Sequence, residues 1–165
     1  MIQIRRNTFE TNSSSTHSIC IATENNYEVP ATLDFEIGEF GWEERFIYDT
    51  WELASYLYTG ILNFYSNKEV EEFKNYIYEV LGKHGCECSF EVPKYDKWGF
   101  MDGYVDHAHE LEDFLNAVRN SEKALLRFLF SDDSFIITGN DNSDWFGEAE
   151  AETDFSKVDR YDKWN

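Results

Sequence analysis

Positive charge is what this chain has least of. It carries 14 lysines and arginines against 33 aspartates and glutamates, a formal net charge of −19. A surface of that sign repels phosphate and gains nothing from counterion release, so direct binding to DNA, RNA or an anionic membrane is excluded as an expectation. No apolar run reaches about 18 residues, the length a membrane helix requires. The opening residues lack the apolar core of a signal peptide, and a cytoplasmic protein is expected. Only three cysteines are present. Cys86 and Cys88 are too close in sequence for an ordinary disulfide and Cys20 sits in an apolar run, so reduced thiols are the simplest expectation. A metal at Cys86 and Cys88 would find His84 nearby but would lack the fourth ligand that structural zinc requires.

Aromatic residues, by contrast, are plentiful: 14 Phe, 10 Tyr and 5 Trp. That content does not suit a disordered acidic tail. A chain of 165 residues is about one domain and buries roughly 70% of its unfolded surface. A single domain over 1–165 is therefore expected, with an acidic segment at 140–165 that either wraps the domain or hangs loose. The acid lies in two blocks. Residues 24–52 hold nine acids and one arginine, and residues 132–165 hold ten acids and three bases. Residues 1–23 are the exception, with Arg5 and Arg6 against Glu10.

Hydrophobic spacing predicts the elements. Residues 2–9 and 18–23 have strand character, and Leu33, Phe35 and Ile37 alternate with Asp34 and Glu36. A helix over 50–65 is stripe-patterned by Leu53, Leu57, Ile61 and Leu62, with Asp49 and Glu52 at capping-box spacing. A second helix over 67–81 starts at Ser66 with Glu69 and stops near Gly82. Residues 86–92 alternate as a strand ended by Pro93, and 94–108 form an exposed aromatic loop with a short strand at Tyr104 and Val105. Helices over 109–119 and 121–130 precede a buried strand, 134–139. Strands and helix pairs alternating in this way predict an α+β fold, a mostly antiparallel sheet packed with two helical hairpins.

Three polar constellations stand out. In "RRNTFETNSSSTHSI", residues 5–19, Arg6 offers a fork for an anion, Asn12 and Ser13 offer hydrogen bonds, and His17 offers a proton-carrying group. Those types suit a phosphate-handling pocket or a serine nucleophile with His17 as base; they equally suit a polar hairpin loop. In "MDGYVDHAHE", residues 101–110, Asp106, His107 and His109 are candidate metal ligands if the chain is extended, and otherwise the solvated first turn of a helix. In "TGNDNSD", residues 138–144, Asp141 and Asp144 are turn formers at the end of a strand.

The opening motif, together with "YVDHAH" at 104–109 and "SFIITGND" at 134–141, resembles a group of small proteins of bacteriophages and mobile elements of gut and low-GC bacteria. The resemblance covers about thirty residues in three blocks. It implies a phage-type origin, and it implies that the three polar blocks belong to one site. The group commonly has Ser or Gln after the Asp-His pair, where this chain has Ala108.

Charge and resemblance together lead to the expectation of a phage-encoded inhibitor of a bacterial defence system, an anti-CRISPR protein working in the cytoplasm of the host cell. Its acidic surface would imitate nucleic acid and occupy the basic channel of an effector such as Cas9. The expected partner-binding residues are Asp34, Glu36, Glu39, Trp42, Glu43 and Glu44 in the first block, and Asp141, Asp144, Trp145, Glu148 and Glu150 in the second; Trp98 is a further apolar anchor. No cofactor is expected for an inhibitor. The alternative is a metal-dependent hydrolase acting on a nucleotide or RNA, with Arg6, Asn12, Ser13 and His17 holding phosphate and Asp106 and His107 holding a divalent metal or moving a proton. A third reading makes the charge a solubility device only.

Overall fold

A computed structural model describes residues 15–164. The elements in chain order are β1 (Ser15–Ala22), β2 (Thr32–Phe35), β3 (Glu39–Phe40), β4 (Arg45–Ile47), α1 (Thr50–Phe64), α2 (Asn67–Lys83), β5 (Glu87–Phe90), β6 (Tyr104–Val105), α3 (Glu112–Asn120), α4 (Glu122–Phe130), β7 (Phe135–Asn140), α5 (Asp144–Ala151) and β8 (Val158–Trp164). Single 3₁₀ turns at Ala108–Leu111 and Phe155–Lys157 lead into α3 and β8. The fold is α+β. Its main sheet runs β4-β7-β1-β8 and is antiparallel throughout. Two small parallel pairs, β2 with β5 and β3 with β6, flank it.

β1 is the organising strand. Its eight residues are all buried, and it pairs with β7 on one side and β8 on the other. Strand alternation sends Ile19 and Ile21 to one face, where they join the main core with Ile47, Ile136 and the apolar stripes of α1 to α4. Cys20 goes to the other face and joins Phe135, Ile137 and Phe146 beneath α5. The sheet is thus covered by four helices on one side and by a single two-turn helix on the other.

The helix termini follow local chemistry. Asp49 accepts from the backbone N–H groups of Trp51 and Glu52, while the Glu52 carboxylate pairs with Arg45 instead of closing a capping box. Ser66 and Glu69 do form the reciprocal box. Ser121 and Ser143 cap α4 and α5.

Two expectations need correction. Ser15 to Ser18 do not belong to a hairpin loop: they form the first half of the buried central strand. The expected strand at 2–9 and the rest of that loop lie outside the described residues. The helix expected from 109 begins as a 3₁₀ turn and becomes α-helical only at Glu112. The acidic segment from 140 supplies both α5 and the edge strand β8. Its strand alternates Arg160, Asp162 and Trp164 inward with Asp159, Tyr161 and Lys163 outward, a pattern its charges conceal.

Gly103 holds the junction of the two small sheets. Its φ is +124°, and a Cβ there would lie 2.3 Å from Ile37 Cγ2 and 3.0 Å from the Gly38 carbonyl oxygen. Gly103→Ala is expected to destabilise the fold by about 1–3 kcal/mol, the usual scale for enforced backbone strain, read as a lowered urea midpoint with an unchanged slope.

Candidate functional site

The three polar blocks meet in space. β1 and β7 pair in a register that sets Ser15 opposite Asn140, Thr16 opposite Gly139 and His17 opposite Thr138. From the second block Asp106 reaches the same place: the Ser15 hydroxyl donates to its Oδ2 at 2.7 Å. The Asp106 backbone N–H donates to the Phe40 carbonyl at 2.7 Å, which fixes the loop against β3. His107 then turns with φ of 55°, in the left-handed region, and starts the 3₁₀ turn.

His17 lies at the bottom of this assembly and has no solvent exposure. Its Nδ1 is 2.9 Å from the Tyr56 hydroxyl, with the donor set by the imidazole tautomer. Its ring stacks on Trp164 at 5.7 Å between centroids. Burial, and secondarily the negative Asp106, push the Tyr56 hydroxyl well above its ordinary pKa, so it stays neutral. The buried imidazole therefore ties β1 to α1 and β8; in this conformation water and substrate do not reach it. Of the residues in the hydrolase expectation, His17 is closed to solvent, and Asp106 is engaged by Ser15, a residue that expectation did not include. Arg6, Asn12 and Ser13 lie outside the described residues.

The metal candidates fare differently from the spacing argument. His107 and His109 are not two apart on an extended strand, because the chain is already turning; their rings lie 5.8 Å apart, and His109 bonds Glu110 at 3.1 Å. Among the described residues, no three of His, Cys, Asp and Glu gather closely enough to hold a metal ion. Asp106, His107 and His109 therefore do not form a ligand set by themselves.

At the β4–β7 edge of the sheet the two acidic blocks come together. β4 pairs with β7, Phe46 opposite Ile137, and the Thr138 hydroxyl donates to the Glu43 carbonyl at 2.7 Å. The Ser143 hydroxyl donates to the Glu44 carboxylate at 2.5 Å. Trp42, Glu43 and Glu44 from the first block thus line one open depression with Asn140, Asn142 and Ser143 from the second. Beside it is a groove of about 620 Å³, where Phe46 and Tyr48 face Phe135, Trp145 and Glu148.

The other predicted contact residues divide. Asp34 accepts from the Ser89 hydroxyl at 2.6 Å on the small β2–β5 sheet. Glu36 is exposed just beyond β2, and Glu39 lines a shallow cleft with Lys94 and Asp102. Asp141 is exposed in the turn after β7 and accepts from Asn142 Nδ2 at 2.9 Å. Asp144 is exposed at the start of α5. Glu150 is held by Lys163 at 2.8 Å and by the Tyr161 hydroxyl, so it is the least available of the set. Sequence reasoning missed Phe46 and Tyr48 as exposed residues beside the buried Phe135. Their even spacing in 46–48 was a signal for a strand edge, but nothing local showed that α5 leaves them uncovered.

Comparison of the chain with known protein families, with curated proteins and with solved structures finds no match.

The three cysteines are free. Burial, then the nearby negative Glu150 and Asp162, pushes the Cys20 thiol up to about 12. Burial, then Cys86, pushes Cys88 up to about 11, and burial raises Cys86 as well. A raised thiol pKa means scarce thiolate at neutral pH. In the folded protein at pH 8, all three are expected to resist a disulfide reagent for minutes and to react promptly in denaturant. Fast labelling of the native protein would contradict the packing at β1 and β5.

Proposed function

We propose that this chain is a protein-binding inhibitor that imitates nucleic acid, a phage-type anti-CRISPR protein whose acidic face fills the basic channel of an effector such as Cas9. The observation that carries the reading is the meeting of two acidic blocks, distant in sequence, across the β4–β7 pair and the start of α5. Glu43 and Glu44 stand with the half-exposed Trp42 in one depression, and the Ser143–Glu44 hydrogen bond joins it to the start of α5, which carries Asp144, the partly buried Trp145 and Glu148. If charge served solubility alone, no such convergence would be needed; a mimic needs carboxylates on a rigid frame with apolar anchors between them. The frame here is a sheet edge and a capped helix. The resemblance of the three polar blocks to phage and mobile-element proteins supports the same origin. In this reading those blocks, buried at Ser15 and His17 and tied to the partly buried Asp106, serve as scaffold.

Binding of this kind is salt-dependent. Inhibition of a purified basic effector nuclease is expected to weaken steadily between about 0.05 and 0.3 M salt. Replacing Glu43, Glu44, Asp144 and Glu148 together with the neutral amides is expected to weaken it by about tenfold or more while leaving the circular dichroism spectrum unchanged. Inhibition indifferent to both salt and these four substitutions would remove mimicry as the mechanism.

A further inference from the structure

The groove beside α5 combines features that charge mimicry alone does not use. Its floor is aromatic: Phe46 stacks on Phe135 at 4.8 Å and 22° between planes, and the Tyr48 ring lies 6.2 Å from Phe46. Phe46 is 42% exposed and Tyr48 66% exposed. Trp145 and Ala149 of α5 form one wall. The rim is acidic, with Asp132, Glu148, Glu152 and Asp154 around it. Among the described residues that line it, Lys157 is the only cation, and it is engaged by Asp133 at 2.9 Å. Among the described residues no cation pairs with Asp132, Glu148 or Glu152.

We infer that this groove seats an arginine side chain carried on an extended segment of the basic partner; the inference rests on the inhibitor reading for the partner's identity. A volume of about 620 Å³ lies in the usual range for a ligand seat. A purely apolar occupant would strip water from the rim carboxylates without replacing it, at a cost in unpaired buried charge. An anion is repelled. A guanidinium satisfies both parts: its flat face lies on aromatic rings, and its edge donates to two carboxylates at once. A lysine ammonium is a strongly hydrated point charge and uses the rim without using the floor. Arginines that hold a nucleic acid stack on bases as well as pairing with phosphates. The groove therefore offers the stacking plane of a base beside the charge of a backbone.

The test uses the whole protein and three blocked peptides of equal length, bearing three arginines, three lysines or three glutamates in a Gly/Ser background. Binding is followed by calorimetry and by ¹⁵N-resolved spectra. The arginine peptide is expected to bind about three- to fivefold tighter than the lysine peptide and to shift the Trp145 indole and Tyr48 signals. The glutamate peptide is expected not to bind. Tyr48→Ala, at a well-exposed ring, is expected to erase the arginine preference, and Glu148→Gln with Glu152→Gln to weaken both cationic peptides. Equal binding of the two cationic peptides, untouched by Tyr48→Ala, would overturn the groove and leave the charged-face reading intact. Shifts confined to other surfaces would overturn it too. An arginine peptide seated in the groove of a protein that inhibits no effector would support the seat and retire the inhibitor reading instead.

Discussion

Everything in this molecule depends on β1 being buried along its whole length while half of it is polar. A strand flanked by two others has its backbone groups paired, but Ser15 to Ser18 also place side chains in the interior. Buried polar groups are costly unless matched. Ser15 finds Asp106 and His17 finds Tyr56; each match recruits a different element. The loop after β6 and the middle of α1 are placed by what β1 requires. The same strand, through the Ala22 backbone N–H, donates a hydrogen bond to the Ser134 hydroxyl at 2.9 Å, and Ser134 in turn donates to the Arg127 carbonyl at 2.7 Å. That chain of contacts ties the end of α4 to the start of β7.

Charge is organised by the same frame. Because β7 is the partner of β1, its outer side is free to take β4, and β4 brings the first acidic block to the second. Two arginines show how sparingly cations are used. Arg127 is buried and joins Asn25 at 2.8 Å to Asp159 at 3.3 Å; Arg160 holds Asp162 beside it on β8. Both serve to close the fold. Glu43 and Glu44 beside β4, and Asp144 and Glu148 on α5, are among the carboxylates that no cation of the described residues meets.

Much of the fold was legible because its elements obey their own periods. The stripe Leu53, Leu57 and Ile61 and the stripe Val70, Phe73, Ile77 and Val80 are buried as spaced, and Leu33 and Phe35 alternate as a strand should. What was not legible depended on tertiary pairing. Ser15 to Ser18 read as a loop because hydroxyls and histidine usually form turns; only the flanking strands and Asp106 make them a core. β8 was hidden because alternate charged residues look solvated at both faces until one face finds β1. The candidate site followed the same rule. Asp106 and His107 could be picked out by type, and Glu43, Glu44, Asp144 and Glu148 by charge, but the aromatic floor of Phe46, Tyr48 and Phe135 exists only because a two-turn helix covers part of that face.

The pairing of β1 sets a condition on how the molecule is made. Ile19 lies opposite Ile136 and Asp162, so both neighbours of the central strand come from the far end of the described chain. Contacts of such long sequence separation close slowly, because the loop entropy is spent before the pairing rewards it. On a ribosome, β1 emerges early and remains unmatched while the helices are synthesised. Its apolar half, Ile19 to Ala22, has no strand partner throughout that wait. The helical hairpins, whose contacts are local, are able to form first and offer Ile19 and Ile21 a surface to rest on before either strand arrives.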